Sequence, residues 1–139
     1  MAEFIQWATL LSVTDLTPHV RQLMLLPKER PISFNPGQWV SLKLPVGPNP
    51  SLNRAYSMAA PGTASGELTL ILDRVVGGLG SGYLYGLTAG DDVQLSGPYG
   101  NFTHPPQLDQ ELLLIGRFTG LVPIRCMLKQ MYSQHQTNS

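Results

Sequence analysis

The sequence of 139 residues predicts a mainly β fold. Six short strands are expected to form a compact antiparallel barrel with one short helix, and a C-terminal strand–helix unit is expected to follow the barrel. Short β-forming runs separated by turn residues predict the barrel, and the 14 glycines and 12 prolines are typical of such turns. The pattern changes after Gln107, where a continuous apolar run precedes apolar residues at helical spacing. This change predicts the C-terminal unit.

The first three strands are predicted from turns and from alternation. Residues 8–13 and 20–26 are β-forming runs separated by turn residues, and they therefore predict a hairpin. Residues 38–44 follow an Asn-Pro-Gly turn at residues 35–37, where proline presets φ and glycine accepts a positive φ. Apolar and polar side chains alternate along residues 38–44, which predicts a strand with one buried face.

The remaining strands and the short helix of the barrel lie between residues 54 and 95. Strands are predicted at residues 54–60, 68–75 and 92–95, because each is a β-forming run bounded by turn residues. A short helix is predicted at residues 82–87, because a glycine-rich run leads into it and Ser81 lies near its N-cap.

The C-terminal unit combines a strand with a helix. Residues 112–115 (Leu-Leu-Leu-Ile) form a continuous apolar run, which is typical of a strand buried on both faces in a parallel sheet. A turn is predicted at residues 116–120. The helix that follows carries an apolar stripe at helical spacing, formed by Leu121, Ile124, Leu128 and Met131.

Composition excludes several classes of protein. Nine Lys and Arg residues balance nine Asp and Glu residues, so the chain lacks the basic excess of a protein that binds nucleic acid through phosphate contacts. The hydrophobic fraction of 42% is too high for a disordered chain. A single cysteine, Cys126, excludes a disulfide framework and a cysteine-ligated zinc or iron–sulfur site. Because the sequence shows neither a signal peptide nor a membrane-spanning run, we expect a cytoplasmic protein.

Arg54, Tyr56 and Ser57 form the first cluster of chemically informative residues. On a strand, Arg54 and Tyr56 share one face, whereas Ser57 lies on the other face or at the strand end. A guanidinium binds phosphate through two hydrogen bonds, an aromatic ring packs against a flat ring system, and a hydroxyl can hydrogen-bond to that ring's polar edge. Taken alone, such a cluster more often belongs to a half-buried strand with a packed tyrosine and a solvated arginine.

A glycine-rich run at residues 77–81 (Gly-Gly-Leu-Gly-Ser) forms the second cluster. Glycines let the backbone approach a phosphate closely, and the helix that follows directs unpaired N–H groups at an anion. The ordinary alternative is a flexible connection with a serine cap. The order of the clusters favours a ligand site, because a Gly-Pro-Tyr-Gly-Asn-Phe stretch follows at residues 97–102.

These motifs, in this order, resemble the flavin-binding domain of the ferredoxin–NADP reductase superfamily. The superfamily's Arg-x-Tyr-Ser motif matches residues 54–57, and its glycine-rich turn with a serine matches Gly80 and Ser81. The turn and the start of the strand at residues 37–40 are also similar. A further stretch matches at Gly90, Asp91, Val93, Gly97, Pro98, Gly100 and Phe102. The resemblance covers residues 8–126.

The resemblance implies that residues 1–106 form a six-stranded Greek-key barrel that binds FAD, or FMN as in some members. It further implies that Arg54 pairs with a flavin phosphate, that Tyr56 lies on the isoalloxazine ring and that Ser57 hydrogen-bonds near the flavin's reactive nitrogen. The glycine-rich turn favours FAD over FMN, because a pyrophosphate needs a longer cradle than a single phosphate.

The other cofactor-binding residues implied by the resemblance lie on the glycine-rich turn and the strand before it. The backbone of Gly80 and Ser81, together with the Ser81 hydroxyl, would hold the pyrophosphate. Asp73 would lie beyond Tyr56 on the neighbouring strand, and Val75 would line the flavin ring with its backbone, with placements that depend on the strand register. We assign no catalytic acid or base, because the electron chemistry belongs to the flavin, and no metal site, because the histidines lack ligand spacing.

Residues 107–139 resemble the opening of the superfamily's nucleotide-binding α/β domain, and we interpret them as a remnant or fragment of it. Phe118 stands where the superfamily pattern has a glycine, and a phenylalanine cannot give the same close backbone approach to a pyrophosphate. Residues 111–139 are also too few for a βαβ unit. We therefore expect the NAD(P)H site to be incomplete.

The strand predicted at residues 112–115 has no parallel partner within the sequence. Three outcomes are open: the chain is a fragment of a longer protein, it associates with another chain, or the C-terminal unit folds back over the barrel. We favour association through residues 111–132, either as a homodimer or with a partner redox subunit.

Together these expectations describe a flavin-dependent oxidoreductase domain that binds FAD and transfers electrons. Whether the chain alone is an enzyme stays open, because an intact reductase also needs a place for NAD(P)H beside the flavin. The first alternative is a non-catalytic flavin-holding or interaction module that acts as a subunit with a partner chain. The second is a small barrel that binds flavin-like rings without electron transfer.

Overall fold

In the computed structural model, which describes residues 2–48, 51–105, 107 and 109–136, six strands form one antiparallel sheet. Two α-helices and a short 3₁₀ turn at Phe118–Gly120 complete the structure of these residues. The strands are β1 (Ile5–Thr17), β2 (Val20–Pro27), β3 (Trp39–Leu44), β4 (Leu52–Ser57), β5 (Leu68–Asp73) and β6 (Asp92–Tyr99), and the helices are α1 (Leu79–Tyr85) and α2 (Leu121–Gln136).

The strands lie in the order β4-β3-β6-β1-β2-β5, so that β6 pairs with both β1 and β3 and completes the middle of the sheet. The sheet curls until its edge strands approach each other, but only one isolated bridge, Met58 to Leu70, joins the two edges among the described residues. The predicted mainly β fold with six antiparallel strands is confirmed. The expected barrel is not closed, because β4 and β5 diverge beyond that bridge.

The apolar core fills the inside of the curled sheet. Buried and half-buried residues alternate strictly along β3 and β5, as the period of two predicts for strands with one buried face. Fully buried side chains from all strands except β4 meet in this core, and Leu84 of α1 joins them. The largest fully buried ones in the sheet are Leu10, Leu23, Leu25, Leu42, Leu44, Leu68, Leu70, Leu72 and Leu95.

Helix α1 begins three residues earlier than the sequence predicts. Its N-cap is Gly78, which makes no side-chain capping hydrogen bond. Ser81 therefore lies inside the first turn and does not cap the helix, which corrects the predicted boundary. The glycine-rich run thus forms the helix start itself instead of a linker leading to it.

The strand predicted at residues 112–115 is wrong. Residues 111–117 have no regular secondary structure, and Leu113 and Ile115 are 82% and 83% exposed. A parallel strand needs a neighbouring strand to satisfy its backbone, and the described strands pair only with one another in antiparallel ladders. The apolar run therefore stays outside the sheet.

Helix α2 folds back onto the sheet, and the residues that it buries differ in part from the predicted apolar stripe. Ile124 is buried as predicted, whereas Leu121 and Leu128 are exposed. The other buried residues of the helix are Val122, Cys126 and Met127. Burial raises the pKa of the Cys126 thiol to about 11, as expected for a cysteine that packs in the interior. Among the described residues, no helix is long and apolar enough to cross a lipid bilayer.

Gly37 is the point where α2, the turn before β3 and the segment after β6 meet. Its φ of +103° favours glycine, and a Cβ at this position would lie 1.7 Å from the carbonyl oxygen of Phe102 and 2.7 Å from Met127 Cε. The first of these neighbours is backbone and cannot move aside independently. The absence of a side chain at Gly37 is therefore a condition for packing the segment at Phe102 against the turn before β3, with Met127 of α2 beside it.

Gly37→Ala should lower the free energy of unfolding by more than about 3 kcal/mol beyond the effect of Gly90→Ala, or prevent folding altogether. Gly90 is a matched control, because it also has a positive φ, +97°, but has no atom within 4 Å of its Cβ position. It therefore reports backbone strain alone, about 1–2 kcal/mol. Urea denaturation of both variants measures the difference, and equal losses would contradict this account of the junction.

Candidate functional site

A cleft of about 370 Å³ lies where edge strands β4 and β5 diverge, and the start of α1 and the start of α2 complete its walls. All seven residues predicted to bind a cofactor line this cleft. They are Arg54, Tyr56 and Ser57 on β4, Asp73 and Val75 at the end of β5 and just beyond it, and Gly80 and Ser81 on α1. The structure thus brings together residues that the sequence separates into three segments.

The register of β4 aims Arg54 and Tyr56 at the same side of the sheet. Arg54 lies opposite Leu42 and Tyr56 opposite Val40, and directly opposed residues of an antiparallel pair share a face. Leu42 and Val40 are fully buried, so this is the inner face. Because the sheet is open beside β4, Arg54 is nevertheless exposed to solvent in the cleft. The predicted shared face of Arg54 and Tyr56 is confirmed.

The Arg54 side chain packs against Gly80. A Cβ on Gly80 would lie 3.1 Å from Arg54 Cγ and 3.5 Å from Arg54 Nε, so the stem of the arginine needs the glycine. One guanidinium nitrogen donates to the carbonyl oxygen of Asn53 at 3.0 Å. No carboxylate of the described residues forms an ion pair with Arg54. Most of its N–H donors therefore remain available to a ligand.

The first turn of α1 adds backbone donors beside Arg54. N–H groups in the first turn of a helix have no intrahelical acceptor, and here neither a side-chain cap nor an acidic residue in the first turn offsets them. The Arg54 guanidinium and the unpaired backbone N–H groups of the first turn of α1 therefore lie together around Gly80. Such a donor set suits an anion, and phosphate in particular.

Ser81 is only 7% exposed, and its hydroxyl is already engaged within the protein. It accepts a hydrogen bond from the Val75 backbone N–H at 2.8 Å and donates one to the Asp73 carbonyl oxygen at 3.4 Å. A hydroxyl has one proton to donate. The side chain of Ser81 thus ties α1 to the end of β5, and its backbone N–H is the group left for a ligand.

Asp73 faces the cleft from β5, and its side chain is held by the segment before α2. The Thr119 hydroxyl donates to Asp73 Oδ2 at 2.8 Å, although the two residues are 46 positions apart. Val122, in the first turn of α2, also lines the cleft. Val75 lies at the rim with an exposed side chain.

Tyr56 presents a half-buried ring to the cleft. Burial raises the pKa of its phenol above the ordinary value, and the nearby Arg54 charge opposes this only in part. The phenol therefore stays neutral at physiological pH. The cleft accordingly combines an anion-binding region at Arg54 and Gly80 with a neutral aromatic surface at Tyr56, which fits the phosphates and the flat ring of a flavin nucleotide.

The comparison with protein families shows which family the chain belongs to. Residues 8–104 match the family model described as the oxidoreductase FAD-binding domain. The chain belongs to this family. The expected relationship to the ferredoxin–NADP reductase superfamily is confirmed, and FAD is the cofactor of the family.

Relatives of the FAD-binding domain cover nearly all of this chain. Ferredoxin–NADP reductase B of Sorangium cellulosum (strain So ce56) is 38% identical over 123 residues, which are 88% of this chain and 50% of the relative. The reductase subunit of an aromatic O-demethylase from Amycolatopsis sp. (strain ATCC 39116 / 75iv2) is 36% identical over 133 residues, covering 92% of this chain and 39% of the relative. The chain thus spans half or less of the length of these relatives.

Solved structures agree with the family assignment. The crystal structure of the Amycolatopsis cytochrome P450 reductase GcoB matches with a TM-score of 0.79 and 32% identity, covering 98% of this chain and 42% of that chain. The likeness therefore extends beyond the FAD-binding domain model, which ends at residue 104, to residues that include α2.

The sequence analysis did not assign to the cleft four residues that line it, Ile71, Leu72, Thr119 and Val122, and the last two come from outside the FAD-binding domain match. Thr119 and Val122 lie in the segment that resembles a nucleotide-binding domain, and no local pattern links them to β5. Their part in the cleft follows from the docking of α2. The roles of the seven predicted residues at FAD stay predictions, because the structure shows their placement and not their contacts with a cofactor.

Gly80→Ala should weaken FAD binding about tenfold, because the added methyl group pushes the Arg54 stem away from the anion-binding region. Gly82→Ala is the matched control, since Gly82 lies in the same helix and has no atom within 4 Å of its Cβ position. Both changes raise helix propensity equally. Titration of the apoprotein with FAD, followed by flavin fluorescence, measures the two dissociation constants, and equal values would count against the packing described for Arg54.

Proposed function

We propose that this chain binds FAD in the cleft between β4 and β5 and, with FAD bound, passes electrons as the flavin-binding part of a ferredoxin–NADP reductase type oxidoreductase. The proposal rests on the position of the Arg54 guanidinium, which lies beside Gly80 and the uncapped first turn of α1. No carboxylate of the described residues forms an ion pair with this guanidinium. These groups form an anion-binding region next to an aromatic surface, in a chain whose family is the FAD-binding domain.

Arg54 would pair with a phosphate of FAD, and the backbone N–H groups of Gly80 and Ser81 would bind the pyrophosphate. This assignment follows from the free donors of these groups and from the close approach that Gly80 permits. The Ser81 hydroxyl, which the sequence analysis assigned to the pyrophosphate as well, instead holds the end of β5 in place. Its contribution to the cofactor is therefore positional.

Tyr56 would support the isoalloxazine ring with its face, and Ser57 would hydrogen-bond to the polar edge of that ring. Asp73 and Val75 would form the opposite wall, where the β5 backbone is fixed by Ser81. FAD, when bound, supplies a ring that takes up a hydride or single electrons. The protein contributes binding and orientation, and the proposal requires no side chain to act as an acid or base.

We propose residues 1–106 as the flavin-binding barrel and residues 107–139 as the beginning of a nucleotide-binding segment. Phe118 supports this division, because it has a φ of +52°, the left-handed conformation that a glycine at this position adopts without strain. A phenylalanine at this position lacks the close backbone approach to a pyrophosphate that the glycine of the superfamily pattern gives. We therefore expect NADH and NADPH to leave the FAD of this chain oxidised, which the absorbance of the bound flavin tests directly.

We also infer a redox partner, because the relatives include a ferredoxin–NADP reductase and the reductase subunit of an aromatic O-demethylase. A contact through residues 111–132 is supported by the exposed apolar side chains there. They are Leu112, Leu113, Ile115, Phe118, Leu121, Leu128 and Tyr132. Contiguous exposed apolar surface of this kind marks interaction sites. A cytoplasmic location would fit the lone reduced Cys126, which is buried.

Arg54→Ala should weaken FAD binding by about 1.5–3 kcal/mol, or roughly 10- to 150-fold in Kd, because it removes a hydrogen bond to a charged group. Arg74→Ala is the control for the loss of positive charge, since Arg74 lies next to the cleft strand but packs over the Tyr85 ring. The visible spectrum and a flavin titration of each variant measure the effect. An Arg54→Ala protein that binds FAD as the unchanged chain does would refute the assignment.

The chain should self-associate with rising concentration through residues 111–132, because burying Leu113 and Ile115 removes apolar surface from water. Leu113→Asp should shift the protein to monomer, whereas Leu16→Asp, at an exposed apolar residue of the β1–β2 hairpin, should not. Sedimentation velocity over a wide concentration range measures this. A strict monomer at every concentration would contradict homodimer formation and leave only the partner subunit.

A further inference from the structure

The segment that follows β4 crosses to β5 at the end of the cleft where the two strands still touch. Ser57 is the last residue of β4 and lines the cleft. Met58 then forms the isolated bridge to Leu70, and the Ala59 backbone N–H donates to the Thr69 carbonyl oxygen at 2.7 Å. Residues 57–59 therefore determine where the two edge strands begin to separate.

The carbonyl oxygen of Ala59 is bonded from helix α2. Ala59 is fully buried, and Nη1 of Arg125 donates to its carbonyl oxygen although the two residues are 66 positions apart. A buried carbonyl oxygen without a donor is costly, so the arginine satisfies a real requirement of the fold. Arg125 is not among the described residues that line the cleft. It therefore reaches the cleft only through the segment after β4.

We infer that Arg125 is a positioning residue of the cofactor cleft, which acts through the Ala59 carbonyl oxygen and holds the end of β4 that carries Tyr56 and Ser57. This inference rests on the proposed function, in which these two residues contact the isoalloxazine ring of FAD. It gives α2 a part in FAD binding that requires no contact between Arg125 and the cofactor.

The pairing of β4 with β3 limits how far a change at Ala59 extends. Ser57 forms the last pair of this ladder, whereas Arg54 lies inside it with paired residues on both sides. Loss of the Arg125 donor therefore loosens the strand end at Tyr56 and Ser57 and leaves the strand at Arg54 in place. Binding of the flavin ring should weaken, and binding of the pyrophosphate should persist.

The test compares FAD with ADP, which carries the pyrophosphate and lacks the isoalloxazine ring. Arg125→Met removes every donor and keeps an unbranched side chain. It should raise the Kd for FAD about tenfold and change the Kd for ADP by less than about twofold. Arg125→Lys keeps a charged donor and should bring the Kd for FAD back to within about threefold of the unchanged chain. Titration with FAD and competition by ADP, followed by flavin fluorescence, measure these constants.

Lys129→Met is the matched control, because it removes a cation from an exposed position of the same helix and should leave both constants within about twofold. Thermal unfolding checks each protein, and Arg125→Gln replaces Arg125→Met if the latter does not fold. Hydrogen exchange of the FAD-free chain adds a second measurement. The Ala59 amide should exchange about tenfold faster in Arg125→Met than in Lys129→Met.

The outcomes separate this inference from the proposed function. Equal losses of FAD and ADP affinity in Arg125→Met would show a general structural role and overturn the inference, as would unchanged exchange at the Ala59 amide. Unchanged FAD affinity in Arg125→Met, together with weakened binding in Arg54→Ala, would overturn the inference and leave the proposed function standing. An unchanged chain that binds no FAD would refute the proposed function, and the inference with it, even if exchange at Ala59 is faster.

Discussion

The organisation of this molecule depends on a sheet that curls but does not close. Among the described residues only the Met58–Leu70 bridge joins the β4 edge to β5, and beyond it the two edge strands separate. A closed barrel would have satisfied these edges with backbone hydrogen bonds and left no room between them. The separation creates the cleft, exposes Arg54 on what is otherwise the buried face, and leaves α1 and the start of α2 to complete the walls.

Two hydroxyl groups maintain the wall that β5 contributes to the cleft. Ser81 fixes the backbone from α1, and Thr119 fixes the Asp73 side chain from the segment before α2. Part-buried hydrogen bonds of this kind contribute little net stability each, but they are costly to leave unmade. Their value here is geometric, because they hold the end of β5 and the Asp73 side chain in place beside the cleft.

Helix α2 belongs to the cofactor cleft as much as to the segment that follows the barrel. Its inner face packs beside Gly37 through Cys126 and Met127, and its first turn reaches the cleft through Val122. Its outer face keeps Leu121, Leu128 and Tyr132 exposed. The helix therefore contributes to the cleft with its first turn and presents exposed apolar residues on its outer face.

The strands, the turn chemistry and the motif residues around Arg54 and Gly80 could be predicted from the sequence, because they follow from alternation, from positive φ at glycine and from the order of short motifs. Three features could not be predicted: the register that turns Arg54 inward, the start of α1 at Leu79 and the exposure of residues 112–115. Nor did any pattern reveal the bond between Thr119 and Asp73, 46 residues apart. The local conformational preferences of the residues determine the strands and helices. Contacts between distant segments depend on how those strands and helices pack, and this packing exists only in the folded chain.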